Sequence, residues 1–299
     1  VTRAKGAPSH APKVPGAPGP RASAVRRVEC TADSAGGLTL DVHLPRELPA
    51  TAAPALLLRL RTAEADGTET VRLPLSPVES EDAGETLRAA LPSTMPLSEG
   101  DWDVHLSLTE GEARRPLCGE LDLRSLVGRV PRADRTWLGV RIPYAGSGGL
   151  LRIRAWLRWP HAEVEDVRLE SGELVLAGRL HGAGLGPGAR LEARGADREE
   201  DVRAGRGKAV RAPVAPVDSA DGESYGFAGA LSCEELAASG GDRQLWLRPD
   251  ESAEPVRLAR ILDDVADKSR GAGQLAVPEV GPVVPYFTVS GDLRVRPEP

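Results

Sequence analysis

The chain has 299 residues and a formal net charge of −6, which argues against the basic surface a nucleic-acid binder carries. A hydrophobic content of 40% with 27% charged residues is globular, and the length allows two domains of ordinary size. No apolar run approaches the ~20 residues of a membrane helix and the N-terminus lacks the apolar stretch of a secretory signal, so a cytoplasmic protein without membrane insertion is expected.

Aromatic residues are only 3%, so Leu, Val and Ala must build the cores. The three cysteines, Cys30, Cys118 and Cys233, have no C-x-x-C spacing, which favours reduced thiols over a disulfide framework. Arg far outnumbers Lys and Asn is absent, a compositional bias that lowers the weight of any single arginine.

Residues 1–24, rich in Ala, Pro and Gly, form an expected disordered tail. From residue 25 the pattern is one of short strands. Residues 38–44 alternate with period two after a Gly-Gly turn, residues 55–60 are an apolar run, and Asp66-Gly67 signals a hairpin into 70–75. Residues 86–91 follow, then 100–108, where Trp102, Val104, Leu106 and Leu108 share one face. Candidates at 119–126 and 136–142 complete the set. Strands every ten residues or so, with Gly and Pro turns between them, are the pattern of an all-β sandwich.

The second half repeats the first. Residues 164–167, 174–180, 189–194, 242–247 and 255–262 answer 25–28, 38–44, 56–61, 101–106 and 116–123. Residues 231–236 form a short helical turn or corner before the strand at 242. Pro143, Tyr144, Gly149, Leu151, Arg152 and Arg154 recur without a gap as Pro285, Tyr286, Gly291, Leu293, Arg294 and Arg296. The expected fold is therefore all-β, with two tandem immunoglobulin-like β-sandwich modules from an internal duplication. The boundaries fall at 1–24 for the tail, 25–160 for the first module and 161–299 for the second, each closed by a Pro-Tyr hairpin. The joint at 155–163 is short, which implies modules that touch, with Trp156 or Trp159 wedged between them. Residues 269–283 read as a flexible connection. Trp102 and Trp246 are expected inward on equivalent strands, and Tyr144 and Tyr286 inward with Leu151 and Leu293.

Candidate chemistry is sparse. Gly222-Glu223-Ser224-Tyr225-Gly226 fits a G-x-S-x-G elbow, but a loop precedes it, a strand follows it and no histidine lies downstream. Asp101-Trp102-Asp103 has the D-x-D form of a metal and sugar-nucleotide site without the α/β unit that gives it context. The glycines between 182 and 188 precede a strand rather than a helix, so they form a loop rather than a dinucleotide fingerprint. His43, His105 and His181 lack zinc-ligand spacing, and His43 and His105 fall at exposed strand positions. No catalytic residues, metal site or cofactor are called for.

The arginine rows carry the best binding hint. Arg152, Arg154 and Arg158 share a strand face with Trp156, and Arg294 and Arg296 repeat the theme. Arg beside an aromatic suits stacking on sugars or gripping phosphate, while an ordinary solvated strand face is the competing reading. The arginines are expected to face solvent and to meet an acidic partner or a phosphate-bearing polymer.

The segment 285–296, Pro-Tyr-Phe-Thr-Val-Ser-Gly-Asp-Leu-Arg-Val-Arg, together with Gly100-Asp101-Trp102-Asp103-Val104, resembles the β-sandwich accessory regions of actinobacterial glycosyltransferases and glycerophosphotransferases of surface-polymer synthesis. Those regions carry an Asn where this chain has Asp292, and the catalytic transferase domain has no counterpart here. The resemblance implies a non-catalytic accessory or scaffold protein that binds such a transferase or an anionic glycan product. The alternative is a transferase with a site between the modules, built from Asp101, Asp103 and the arginine rows.

Overall fold

The structure is a computed structural model that describes residues 26–44, 53–61, 69–78, 85–109, 112–131, 136–195, 209–218, 225–271, 274–275 and 281–298. The expected tail at 1–24, the Asp66-Gly67 turn and Ser224 lie outside the described residues.

The chain is nearly all β. In its first half, β1 (Arg27–Ala32), β2 (Leu38–Leu44), β5 (Ser76–Val78), β6 (Glu85–Leu91) and β9 (Leu117–Asp122) form one sheet in the order β5-β6-β2-β1-β9. A second sheet has the order β10-β11-β7-β3-β4, built from β3 (Ala55–Leu60), β4 (Thr70–Pro74), β7 (Gly100–Thr109), β10 (Leu138–Ala145) and β11 (Leu151–Arg158); β8 (Glu112–Arg114) pairs with β7. Period-two alternation directs Leu40, Val42 and Leu87 from one sheet, and Leu58, Trp102, Val104 and Ile153 from the other, into one continuous core.

The second half comprises β12 (His161–Glu170), β13 (Glu173–His181), β14 (Arg190–Gly195), β15 (Val210–Val217), β16 (Tyr225–Ser232), β17 (Arg243–Arg248), β18 (Val256–Ala259), β19 (Val283–Phe287) and β20 (Leu293–Pro297). Helix α1 (Cys233–Ala238) follows β16 at the expected corner, with the Ser232 hydroxyl accepting from the Glu235 amide at its N-terminus. A two-residue turn, Ser171-Gly172 with both φ angles positive, joins β12 to β13.

The pairings of the two halves correspond strand for strand. β1 pairs antiparallel with β2 and parallel with β9, as β12 does with β13 and β18. β7 lies between β3 and β11, as β17 lies between β14 and β20. The halves differ at one corner. In the first, the chain breaks at Leu75, so that β4 pairs with β3 and β5 with β6. In the second, β15 is continuous: Val210 to Pro213 pair with β14, and Val214 to Val217 with β16. Gly229 permits the crossing, because a Cβ there would lie 3.0 Å from both the Pro213 carbonyl oxygen and Leu191. Since β17 pairs with β14 and β18 as well, strands β14, β15, β16, β13, β12, β18 and β17 close into a seven-stranded barrel around a second core. The expected second open sandwich is therefore corrected to a barrel.

Two inward assignments are also corrected. Trp102 is fully buried, but Trp246 is half-buried on the outside of the barrel. The pairings place Arg243 at the position of Trp102 and Trp246 at that of His105, and Leu245 and Leu247 take the inward parity. Tyr144 and Tyr286 stand on the strand faces opposite Leu151 and Leu293, level with Arg152 and Arg294, with Tyr144 half-buried against the joint side of the first core and Tyr286 outside the second. Gly149 and Gly291, both at positive φ, make the hairpin turns as expected.

The two tryptophans should behave differently on truncation. Trp102→Ala is expected to cost ~3–5 kcal/mol in chemical denaturation, and Trp246→Ala less than half of that loss.

Candidate functional site

β11 is buried on both sides. Ile153 and Ala155 enter the first core, while Arg154, Trp156 and Arg158 face the second half. Trp156, 1% exposed, donates from Nε1 to the Ser290 carbonyl at 2.7 Å, in the turn between β19 and β20. Arg154 donates to the carbonyls of Ala266 and Val289 at 2.6 and 2.7 Å, and forms a two-point pair with Asp101. Arg158 pairs with Glu99 at 2.7 Å and with Asp292 at 2.9 Å. Trp156 is thus the wedge of the joint, and Asp292 supplies a charge for Arg158.

The expectation that these arginines face solvent is corrected. Arg154 and Arg158 are buried and Arg152 nearly so, the last donating to Asp103 at 3.0 Å. Arg294 and Arg296 lie elsewhere, on the outside of the second half: Arg294 pairs with Asp242 at 3.1 Å, and Arg296 sits over the Tyr286 ring and is exposed. Tyr286 donates to Asp242 at 2.6 Å just as Tyr144 donates to Asp101 at 2.8 Å. One Tyr-Asp-Arg arrangement therefore occurs in each half, buried at the joint in the first and open in the second.

The connection after β18 completes the joint. Ala259, Ile261 and Ala266 join the first core. The buried Glu163 carboxylate accepts from the amides of Ile261 and Leu262 and contacts His161 at 2.7 Å. Lys268 is fully enclosed, bonded to Asp263 and the Val265 carbonyl, with its ammonium 5.9 Å from the Trp156 ring centre. Burial lowers its pKa, against the opposing pull of Asp263. Residues 269–271, read from the sequence as part of a flexible connection, continue directly from this locked segment.

A cleft of about 330 Å³ lies at the joint, lined by Asp101, Arg154, Trp156, Val289 and neighbouring residues. Asp101 is committed within it: burial opposes its charge, but hydrogen bonds from Arg154 and Tyr144 outweigh that and hold its carboxyl below the usual range. Asp103 is engaged by Arg115 and Arg152. Among the described residues no group of three or more His, Cys, Asp or Glu could hold a metal. His43 is exposed beside Glu29 and Thr86, whereas His105 is half-buried. His181 stacks on His161 across β12 and β13. The glycine-rich stretch is the loop between β13 and β14.

A second constellation escaped sequence reasoning. On the outside of the barrel Glu192 is only 1% exposed, because Arg190, Arg194 and Arg248 enclose it at 2.5–2.9 Å. Burial disfavours its charge, yet hydrogen bonds from Arg248 and Arg194 hold its carboxyl down to about 2. Trp246 is paired directly with Glu192 across the strands, with the Arg194 guanidinium 5.4 Å over its ring. Arg211 and Arg257 flank this row on the neighbouring strands, 60% and 38% exposed. Glu192 is one carboxylate facing four guanidinium groups, Arg190, Arg194, Arg211 and Arg248, which leaves this part of the face cationic, whereas Arg257 is also shared with Glu99 and Asp292. The residues sit on four strands remote in sequence, so only the alternating Arg-x-Glu-x-Arg of β14 could have flagged it.

No protein family and no curated protein matches the chain. Among solved structures it is similar to Staphylococcus aureus TarS, in a fragment spanning positions 217–571, with 14% identity and a TM-score of 0.26. The match covers 70% of this chain and 56% of that one, so the chain spans little more than half the fragment. Similarity at this level establishes neither a shared fold nor a shared activity.

Removing the Arg158 guanidinium leaves Glu99 and Asp292 to the more distant Arg257, at 3.8 and 3.5 Å. Arg158→Ala is expected to approach the ~3–5 kcal/mol loss of a broken buried pair, reduced by solvent screening at the partly exposed Glu99, as read by denaturant unfolding. Glu192 sets an acid limb. Its folded pKa of about 2 lies below the ordinary 4.5, so its contribution is present above pH 4.5 and is lost as pH falls toward 2. Melting temperatures across that window should fall more steeply in the parent than in Glu192→Gln.

Proposed function

We propose that this chain is a non-catalytic accessory protein of bacterial surface-glycopolymer synthesis, made of two modules at 25–160 and 161–299 that arose by duplication and bind an anionic glycan. The corresponding pairing order of the halves supports the duplication. The resemblance to transferase-associated β regions supplies the biological setting. The observation that carries binding is the guanidinium-rich barrel face centred on Glu192 and Trp246. Guanidinium groups grip phosphate and carboxylate through paired hydrogen bonds, and a flat strand face presents them along a line suited to a repeating polymer.

Of the arginines first singled out, Arg296 and Arg294 belong to this surface, since Arg294 is paired with Gln244 of β17. Arg152, Arg154, Trp156 and Arg158 act instead as its support, holding the two halves in one arrangement.

The binding reading predicts that the protein retains poly(glycerol phosphate) on a sensor surface and releases it as salt rises, since exposed charge pairs are screened. The triple variant Arg211→Ser, Arg257→Ser, Arg296→Ser should keep its melting temperature within a few degrees and lose most of that binding. Retention unaffected by these substitutions would rule out the barrel face as the site.

A further inference from the structure

Two of the five tryptophans, Trp102 and Trp156, are buried. The other three line two clefts that share one wall. The first, about 70 Å³, is bounded by Arg129, Trp137 and Trp159. The second, about 250 Å³, is bounded by Trp159, Trp246 and Arg257. Both volumes fall below the roughly 300–1,000 Å³ of sites that engulf a whole drug-sized ligand, so each suits one unit of a longer ligand.

The shared wall is fixed in place. Trp159 lies against Gly182, where a Cβ would come within 2.3 Å of the indole, so only glycine admits the ring there. Trp137 is held similarly over Gly139, at 2.5 Å. Indoles anchored by glycine contacts and left half-exposed are preorganised platforms. Both ends of the series are cationic. Arg129 stands beside Arg141, which is buried in a cage of the Gly36, Pro92 and Met95 carbonyls. At the other end Arg257, partly exposed and loosely shared with Glu99 and Asp292 at 3.8 and 3.5 Å, adjoins the guanidinium cluster around Glu192.

We infer that Trp137, Trp159 and Trp246 form a groove across the joint for a sugar-phosphate polymer, with successive hexose rings stacked on the indoles and phosphates held by Arg129 and Arg257. The apolar C–H face of a pyranose matches the electron-rich indole face, and the phosphates match the guanidinium groups. A polyol phosphate lacks the rings and uses only the cationic face. The inference rests on the glycan-binding reading and specifies its ligand class.

The test compares a six-unit hexose 1-phosphate oligomer with a glycerol-phosphate oligomer of equal charge, titrated against the whole chain by calorimetry and indole fluorescence. The hexose oligomer should bind roughly tenfold more tightly and shield indoles from iodide, and Trp246→Ala or Trp159→Ala should each remove about fivefold to tenfold of its affinity. Binding of the glycerol oligomer should be unchanged in Trp159→Ala, which lies off the Glu192 face. Trp159→Phe, which keeps a ring, should retain most of the affinity and serves if Trp159→Ala unfolds. Equal affinity for the two oligomers with no effect of Trp246→Ala would overturn the groove and leave the cationic face standing. Failure of the parent to bind either oligomer would overturn both.

Discussion

The arrangement of this chain depends on the burial of strand β11 from both sides. A strand with one face in its own core and the other carrying Arg154, Trp156 and Arg158 can be covered only if each guanidinium finds partners, since an isolated buried charge is far too costly. Those partners come from both halves: Asp101 and Glu99 from the first, Asp292 and the carbonyls of Ala266 and Val289 from the second. Separating the halves would strip Arg154 of the Ala266 and Val289 carbonyls and Arg158 of Asp292, and would expose Trp156, so the polar joint fixes one relative orientation. Glu163 reinforces it by gathering the amides of Ile261 and Leu262, which draws the segment bearing Ile261 and Ala266 into the neighbouring core.

From that fixed orientation the contrast between the halves gains its meaning. The same pairing order yields two open sheets in one case and a closed barrel in the other, because β15 passes its corner unbroken while the equivalent path breaks at Leu75. Closure removes the free edges on either side of β14 and β17 and gives a continuous outer wall. On that wall Glu192 is enclosed by three arginines, and Trp246, displaced from the core by Arg243, becomes a surface platform. The Tyr-Asp-Arg arrangement has diverged in the same sense: at Asp101 it seals the joint, and at Asp242 it faces outward.

Much of this was legible in the residues themselves. Strand positions such as 38–44 and 55–60, the all-β class, the turn glycines at 149 and 291 and a wedge at Trp156 or Trp159, of which packing chose Trp156, follow from local rules: alternation, turn chemistry and the shortness of a joint. These are properties of a few neighbouring residues, which is why a sequence holds them. Parity within a strand is also local, and the outward direction of Trp246 could have been read from Leu245 and Leu247 on either side of it.

Tertiary structure decided the rest, because it depends on pairings between segments far apart in the chain. A strand whose two faces both carry information, Leu-Arg-Ile-Arg-Ala-Trp-Leu-Arg, reads as one apolar and one solvated face until another body is known to cover the second. Closure of the barrel turns on whether one strand bends or breaks at a corner, a choice set by the space at Gly229 and Leu191 rather than by propensity. The cationic face needs β15, β14, β17 and β18 side by side, and no spacing along the chain encodes that adjacency. Composition and alternation thus determined what kind of strands this protein makes, whereas long-range packing determined which of their charges are buried as struts and which remain free to bind.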